Sequence, residues 1–142
     1  MRRVDLWTDG SSTGGRGPGG WAAILLCGPH RKEISGGDPN ATNNSMEITA
    51  VWEGIKALKE PCAVTVHTDS KLVIGWLSQG WKCKHDHIRV IRDDIFNLCK
   101  IKGHKLSFIH VPGHAGHELN ERADTLAKHA RKVFSEKSER SS

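Results

Sequence analysis

Long hydrophobic runs are missing from this chain of 142 residues, and that absence excludes a helical membrane protein. The longest run, Trp21 to Cys27, ends at Gly28-Pro29 and falls well short of the roughly 18 apolar residues a membrane span needs. The segment after Met1-Arg2-Arg3 alternates at once, Val4-Asp5-Leu6-Trp7, without the apolar core of a secretion signal, so a cytoplasmic location and no membrane partner are expected. Four cysteines, at 27, 62, 83 and 99, show no CxxC pairing and read as reduced thiols. Cys83-Lys84-His85-Asp86-His87 and the histidines at 110, 114 and 117 look like zinc clusters only superficially, because neither stretch has four ligands at zinc-finger spacing. Internal repeats and domain linkers are also absent.

What is present is basic charge. The chain has 21 Lys and Arg against 16 Asp and Glu, a formal charge of +5. Eight of the cations fall between Lys71 and Lys105, against three Asp, and five more lie from Lys128 onward, against two Glu. Such clusters suit a polyanion, since each neutralised phosphate releases condensed counterions, although a solvated surface accounts for the charge equally well.

The hydrophobic pattern predicts an α/β domain. Val4, Leu6 and Thr8 alternate as a strand, followed by a Gly- and Ser-rich loop from Gly10 to Gly20. Trp21 to Cys27 and Lys32 to Ser35 read as two further strands of an antiparallel meander. Ile48, Val51, Trp52, Ile55 and Leu58 recur at helical spacing between Asn43-Asn44-Ser45 and Pro61. A fourth strand spans Ala63 to Thr68, a short helix is capped by Ser70, and Asp86 opens a helix with the stripe Ile88, Ile91, Ile95 and Leu98. Leu106 to Val111 forms the fifth strand, and a last helix runs from Asn120 to about Val133, before a polar tail, residues 135–142, expected to be disordered. Helical crossovers make strands one, four and five parallel.

In such a sheet the functional crevice lies beyond the carboxyl ends of the parallel strands. Asp9 follows strand one and Asp69 follows strand four, while Glu47 and Asp124 fall in the first turns of the first and last helices. Each has a structural alternative: Asp69 supports the Ser70 cap, Glu47 forms a capping box with Asn44, and Asp124 favours a helix dipole. These alternatives do not explain why four acids converge on one edge of a basic protein. Clustered carboxylates repel one another unless cations compensate, and hard oxygen donors suit Mg²⁺ or Mn²⁺. Asp5, mid-strand, has a structural or solvent role.

Read together, Thr8-Asp9-Gly10-Ser11, Gly17-Pro18-Gly19-Gly20-Trp21-Ala22, Thr42-Asn43-Asn44-Ser45-Met46-Glu47, Thr68-Asp69-Ser70, Gly113-His114-Ala115-Gly116-His117 and Asn120-Glu121-Arg122-Ala123-Asp124 resemble the type 1 ribonuclease H family, in family order over residues 1 to 131. The resemblance implies a ribonuclease H-like fold: a five-stranded mixed sheet in order 3-2-1-4-5, strand two antiparallel, with helices on both faces. It implies a catalytic domain over residues 1–134 that hydrolyses the RNA strand of RNA/DNA hybrids as a monomer, leaving 5′-phosphate and 3′-hydroxyl ends. Asp9, Glu47, Asp69 and Asp124 would hold two Mg²⁺ ions, with Mn²⁺ an alternative, and His114 would assist proton transfer or product release.

By the same resemblance Ser11 approaches the RNA strand, Asn43 and Asn44 occupy the minor groove, and Thr42 contacts a DNA phosphate. The alternative role for Asn43 and Asn44 is as helix caps. The basic protrusion of many bacterial members is absent or reduced here, so Lys82 and Lys84, with Arg89 and Arg92, or else Lys128, Arg131 and Lys132, are expected to bind substrate in its place. The family's asparagine in the DNA-phosphate pocket has no clear counterpart, although His87 lies near its place. Trp76 and Trp81 pack in the core or line the channel, and His110 and His117 are structural or solvent-facing.

Overall fold

Alternation along the first strand decides how the sheet is covered. The computed structural model describes residues 1–112 and 117–141, with side chains to residue 135. In β1, Arg2–Ser12, Val4 and Leu6 point into one apolar cluster and Trp7 into another, so helices pack on both faces of the sheet. The larger cluster joins Val4 and Leu6 to Ile48, Val51 and Ile55 of α1, Asn43–Lys56; Val73 and Trp76 of α2, Lys71–Ser78; and Ile88 and Ile95 of α3, Asp86–Lys102. On the other face Trp7 and Ile24 meet Ala123 of α4, Glu118–Ser141. Ile48, Val51, Ile55 and Leu6 have no exposed surface, and each such side chain stabilises the fold by about 2 kcal/mol on burial.

The sheet has five strands in the order β3-β2-β1-β4-β5, as expected. β2, Gly17–Cys27, is antiparallel to both β1 and β3, His30–Ala41. β4, Cys62–Thr68, and β5, Lys105–His110, run parallel to β1. β1 pairs with β4 only as far as Trp7 with His67, while its pairing with β2 continues to Ser12 with Gly19. The two parallel strands part just before Asp9, and this opens the crevice.

Several boundaries differ from those predicted. β1 continues through Ser12 and β2 begins at Gly17, so Asp9 and Ser11 lie within a strand and the connecting loop is residues 13–16 alone. β3 is three times the expected length, because Gly36 and Gly37 pair with Trp21 and Gly20 although their composition signals a turn. α4 starts two residues earlier than predicted and spans Glu118–Ser141, with no Gly or Pro after Glu118 to interrupt it. The N-cap of α3 is His85, without a side-chain cap, and Asp86 sits in its first turn instead. Cys27, Cys62, Cys83 and Cys99 are all free thiols. No helix of the described residues is long and apolar enough to cross a membrane.

Candidate active site

Glu47 reaches the crevice because α1 presses on β1 at Gly10. A Cβ on Gly10 would lie 2.5 Å from Glu47 N and 2.6 Å from the Met46 carbonyl carbon, so only glycine permits the approach. The Gly10 N–H then donates to Glu47 Oε1 at 3.1 Å and to Asp9 Oδ1 at 2.9 Å. Asp69, immediately beyond the end of β4, completes a group in which one carboxylate oxygen from each of Asp9, Glu47 and Asp69 lies within 4.8 Å of the others. It is the one such group of metal-ligating type among the described residues.

These acids are held in a costly state. Asp9 is 5 % exposed and Glu47 8 %. Burial pushes Asp9 up to about 7, with the charges of Asp69 and Asp124 adding to the effect and the hydrogen bond with Glu47 opposing it. Burial also holds Glu47 well above the usual carboxylate range, and the charges of Asp9 and Asp69 raise it further. Glu47 Oε2 is buried with no hydrogen-bond partner among the described residues. An orphaned buried carboxylate oxygen in a group of three acids fits a hard divalent cation, which would supply the missing partner and remove the repulsion.

Asp124 stands apart from the trio. It acts on Asp9 from α4, but its Oδ2 pairs with Lys128 Nζ at 2.9 Å and its side chain is 41 % exposed. Since α4 starts at Glu118, Asp124 lies beyond the first turn, and attraction to the helix dipole does not account for its place. Glu47 is likewise beyond the first turn of α1. The capping box there is made by Thr42 and Ser45, not by Asn44 and Glu47. Thr42 Oγ1 accepts from Ser45 N at 3.1 Å, and Ser45 Oγ accepts from Thr42 N at 2.9 Å. Asn43 and Asn44 are therefore not the caps of α1, and their amides project from its first turn. The cap of α2 is Ser70, which accepts from Val73 N at 3.2 Å.

Of the other expected site residues, Ser11 is buried on β1 and Lys82 and Lys84 are exposed on the connection from α2 to α3, outside the acidic group. His114 lies outside the described residues. His110 Nε2 bonds to the Asp69 carbonyl oxygen at 3.2 Å, and His117 stacks on Trp7 at 4.3 Å, so both have structural contacts. Asp5 pairs with His67 at 2.8 Å. Trp76 is buried, whereas Trp81 is 44 % exposed against Gly75. A cavity of about 320 Å³, lined by Arg16, Asp38, Asn40, Ser45, Thr49 and His87 with the apolar Met46 and Ile91, opens beside the N-terminus of α1. Burial is the main cause that lowers the His87 pKa, with Arg16 and His85 contributing.

Sequence reasoning missed three partnerships: Gly10 with the two acids, Lys128 with Asp124, and Arg131 with Ser11. Only the second, at helical spacing i to i+4, left a signal in the sequence.

Known proteins agree with this architecture. The family profile described as RNase H matches residues 1–132. The chain is 41% identical over 140 residues to the ribonuclease H of Novosphingobium aromaticivorans, which covers 92% of this chain and 97% of that protein. It is 46% identical over 134 residues to the ribonuclease H of Dechloromonas aromatica, at 87% and 90% coverage. Among solved structures, the N-terminal RNase H domain of a Mycobacterium tuberculosis protein superimposes with a TM-score of 0.80 at 28% identity, covering 97% of this chain and 99% of that one. RNase H1 of Halobacterium salinarum gives 0.78 at 29% identity, covering 92% and 98%. The chain belongs to the ribonuclease H family of nucleases.

Proposed function

We propose that this protein is an endonuclease that hydrolyses the RNA strand of an RNA/DNA hybrid, leaving 5′-phosphate and 3′-hydroxyl ends. The observation that carries the reading is the close trio of buried Asp9, buried Glu47 and half-buried Asp69, with the unpartnered Glu47 oxygen. Asp9, Glu47, Asp69 and Asp124 would hold two divalent cations, Mg²⁺ or Mn²⁺. When bound, such a pair supplies an activated water and Lewis-acid stabilisation of the leaving oxygen.

The remaining work falls to the chain. Gly10 N–H fixes the rotamers of Asp9 and Glu47 through the hydrogen bonds they share, so the cluster is oriented before substrate arrives. Asn43 and Asn44, on the exposed start of α1, present amides that donate and accept, and this suits the 2′-hydroxyl, itself both donor and acceptor. Thr42, with Arg16 and His87 around the neighbouring cavity, takes a phosphate of the DNA strand. Ser11 faces the strand that is cut. Lys82 and Lys84 add charge along the duplex, while Arg89 and Arg92 are already paired with Asp86 and Asp93. His114 aids proton transfer or product release.

The test is to incubate the chain with RNA/DNA hybrid, duplex DNA, duplex RNA and single-stranded RNA, with and without Mg²⁺, and to identify the ends produced. Cleavage of the hybrid alone, dependent on Mg²⁺, is expected. Equal cutting of all four, or of DNA alone, would overturn the substrate assignment.

A further inference from the structure

α4 makes its closest approach to the sheet over Gly20. A Cβ there would lie 2.2 Å from the Ala127 carbonyl oxygen and 2.5 Å from Arg131 N. Gly20 pairs with Ser11, so the crossing carries the Arg131 side chain over the end of β1. Nη1 of Arg131 donates to Ser11 Oγ at 2.9 Å and to the Ser12 carbonyl oxygen at 3.3 Å.

The position relates directly to the acids. Asp9 and Ser11, two residues apart, share one face of β1. Asp124 and Arg131, seven apart, share one stripe of α4, about two turns along it. Strand and helix therefore meet twice, at Asp124 beside Asp9 and at Arg131 on Ser11.

Arginine only donates, so Ser11 Oγ must accept from it and the Ser11 hydroxyl hydrogen points elsewhere. Both bonds leave from Nη1, and among the described residues Nε and Nη2 make none. Four other cations are paired with acids: Lys128 with Asp124, Arg89 with Asp86, Arg92 with Asp93 and Arg122 with Glu33. Among the described residues Arg131 is held by two neutral oxygens and has no acidic partner, so its charge is available to a phosphate.

We propose that Arg131 is a positioning residue for the ribose strand: it fixes the Ser11 hydroxyl as a donor toward a 2′-oxygen and turns its remaining N–H groups to a phosphate of the same strand. The assignment rests on the hybrid as substrate. The strand is the one that is cut, because Ser11 shares a face with Asp9, whereas Thr42, Asn43 and Asn44 flank the acids from the α1 side.

The experiment is equilibrium binding by fluorescence anisotropy with divalent ions chelated, using the full chain, its Arg131→Ala, Arg131→Lys and Ser11→Ala variants and the double variant Ser11→Ala with Arg131→Ala. The probes are one hybrid and a series in which single ribonucleotides are replaced by deoxynucleotides. Arg131→Ala is expected to weaken hybrid binding about tenfold, the scale of a charge-assisted hydrogen bond. It should also erase the penalty that the parent shows for one deoxy position, the same position lost in Ser11→Ala, with no further loss in the double variant. Arg131→Lys should recover overall affinity but not the discrimination, because an ammonium lacks the planar fork.

A structural staple alone would lower the melting temperature of the variants and leave the position-specific penalty intact. That outcome, or parent-like binding by Arg131→Ala, overturns the proposal. Should Arg131→Ala not fold, parent-like discrimination by Arg131→Lys overturns it in the same way. Failure of the parent to prefer hybrid over duplex DNA would fall first on the reading of the substrate, and would take this assignment with it.

Discussion

Asp9 and Glu47, 38 residues apart in the chain, accept hydrogen bonds from the same backbone N–H, that of Gly10. One donor shared by two buried acids is less than two carboxylates require. The arrangement orients both side chains and leaves their charge unpaid, and the consequences of that deficit are measurable in the metal-free protein.

The first concerns pH. The folded pKa of Asp9, about 7, lies above its unfolded value of 3.8. Between those values the native state binds more protons than the unfolded state, so stability falls as pH rises through this window. The full contribution is present below about pH 4 and lost above about pH 7. Chemical denaturation of the chelated protein from pH 4 to 8 should show this decline, and Asp9→Asn should flatten it. A parent profile that rises through the window would contradict the raised pKa. Asp9→Asn should also abolish cleavage while leaving hybrid binding largely intact, which a filter-binding assay checks.

Asp69 and Asp124 should respond differently to amidation. Asp69 is half-buried beside Asp9 and Glu47, so Asp69→Asn without metal should match the parent or exceed it by about 1 kcal/mol, through relief of repulsion. Asp124 already has Lys128, in an exposed pair worth less than about 1 kcal/mol, so Asp124→Asn should be close to neutral. Lys128→Ala should likewise change stability by less than about 1 kcal/mol, yet tighten Mg²⁺ binding several-fold in calorimetry, because Asp124 loses its competing cation. Unchanged Mg²⁺ affinity would mean that Asp124 takes no part in holding metal.

Gly10 predicts a larger cost. In Gly10→Ala the new methyl group meets backbone atoms of Met46 and Glu47 at 2.5 to 2.6 Å, and neither can rotate away. Overpacking of this kind costs about 1–3 kcal/mol, and α1 must retreat from β1 to accept it. Both the melting temperature and Mg²⁺ affinity should drop. A variant with parent-like values for both would show that Glu47 is not held through this contact.

How much of this was legible beforehand depended on the range of the interaction. Asp9 and Asp69 are legible as crevice residues because hydrophobic alternation locates the ends of parallel strands, and the order of elements shows which strands those are. β3 is longer than its sequence predicts because it is an edge strand, exposed along most of its length, so alternation is weak where Gly36, Gly37 and Pro39 also signal a turn. The cap of α1 fell to Thr42 and Ser45 rather than to the asparagines beside them, a choice among neighbouring hydrogen bonds that composition does not decide. Arg131 and Ser11 lie 120 residues apart, and nothing local in either segment points to the other.

The cavity beside α1 gives the last prediction. His87 is neutral near pH 7, since burial, Arg16 and His85 all push its pKa below the ordinary histidine value of 6.5. Acidification through that range charges it beside Arg16, at the place proposed for a DNA phosphate. Each phosphate contact adds about 0.7–0.9 to the slope of log affinity against log salt concentration. The salt slope of hybrid binding, measured with metal chelated, should therefore steepen by up to about that amount on going from pH 7.5 to 5.5. His87→Ala should remove the part of the change that His87 contributes, whereas His85→Ala, at an exposed histidine outside the cavity lining, should retain most of it. Equal steepening in the parent and in His87→Ala would place the phosphate elsewhere.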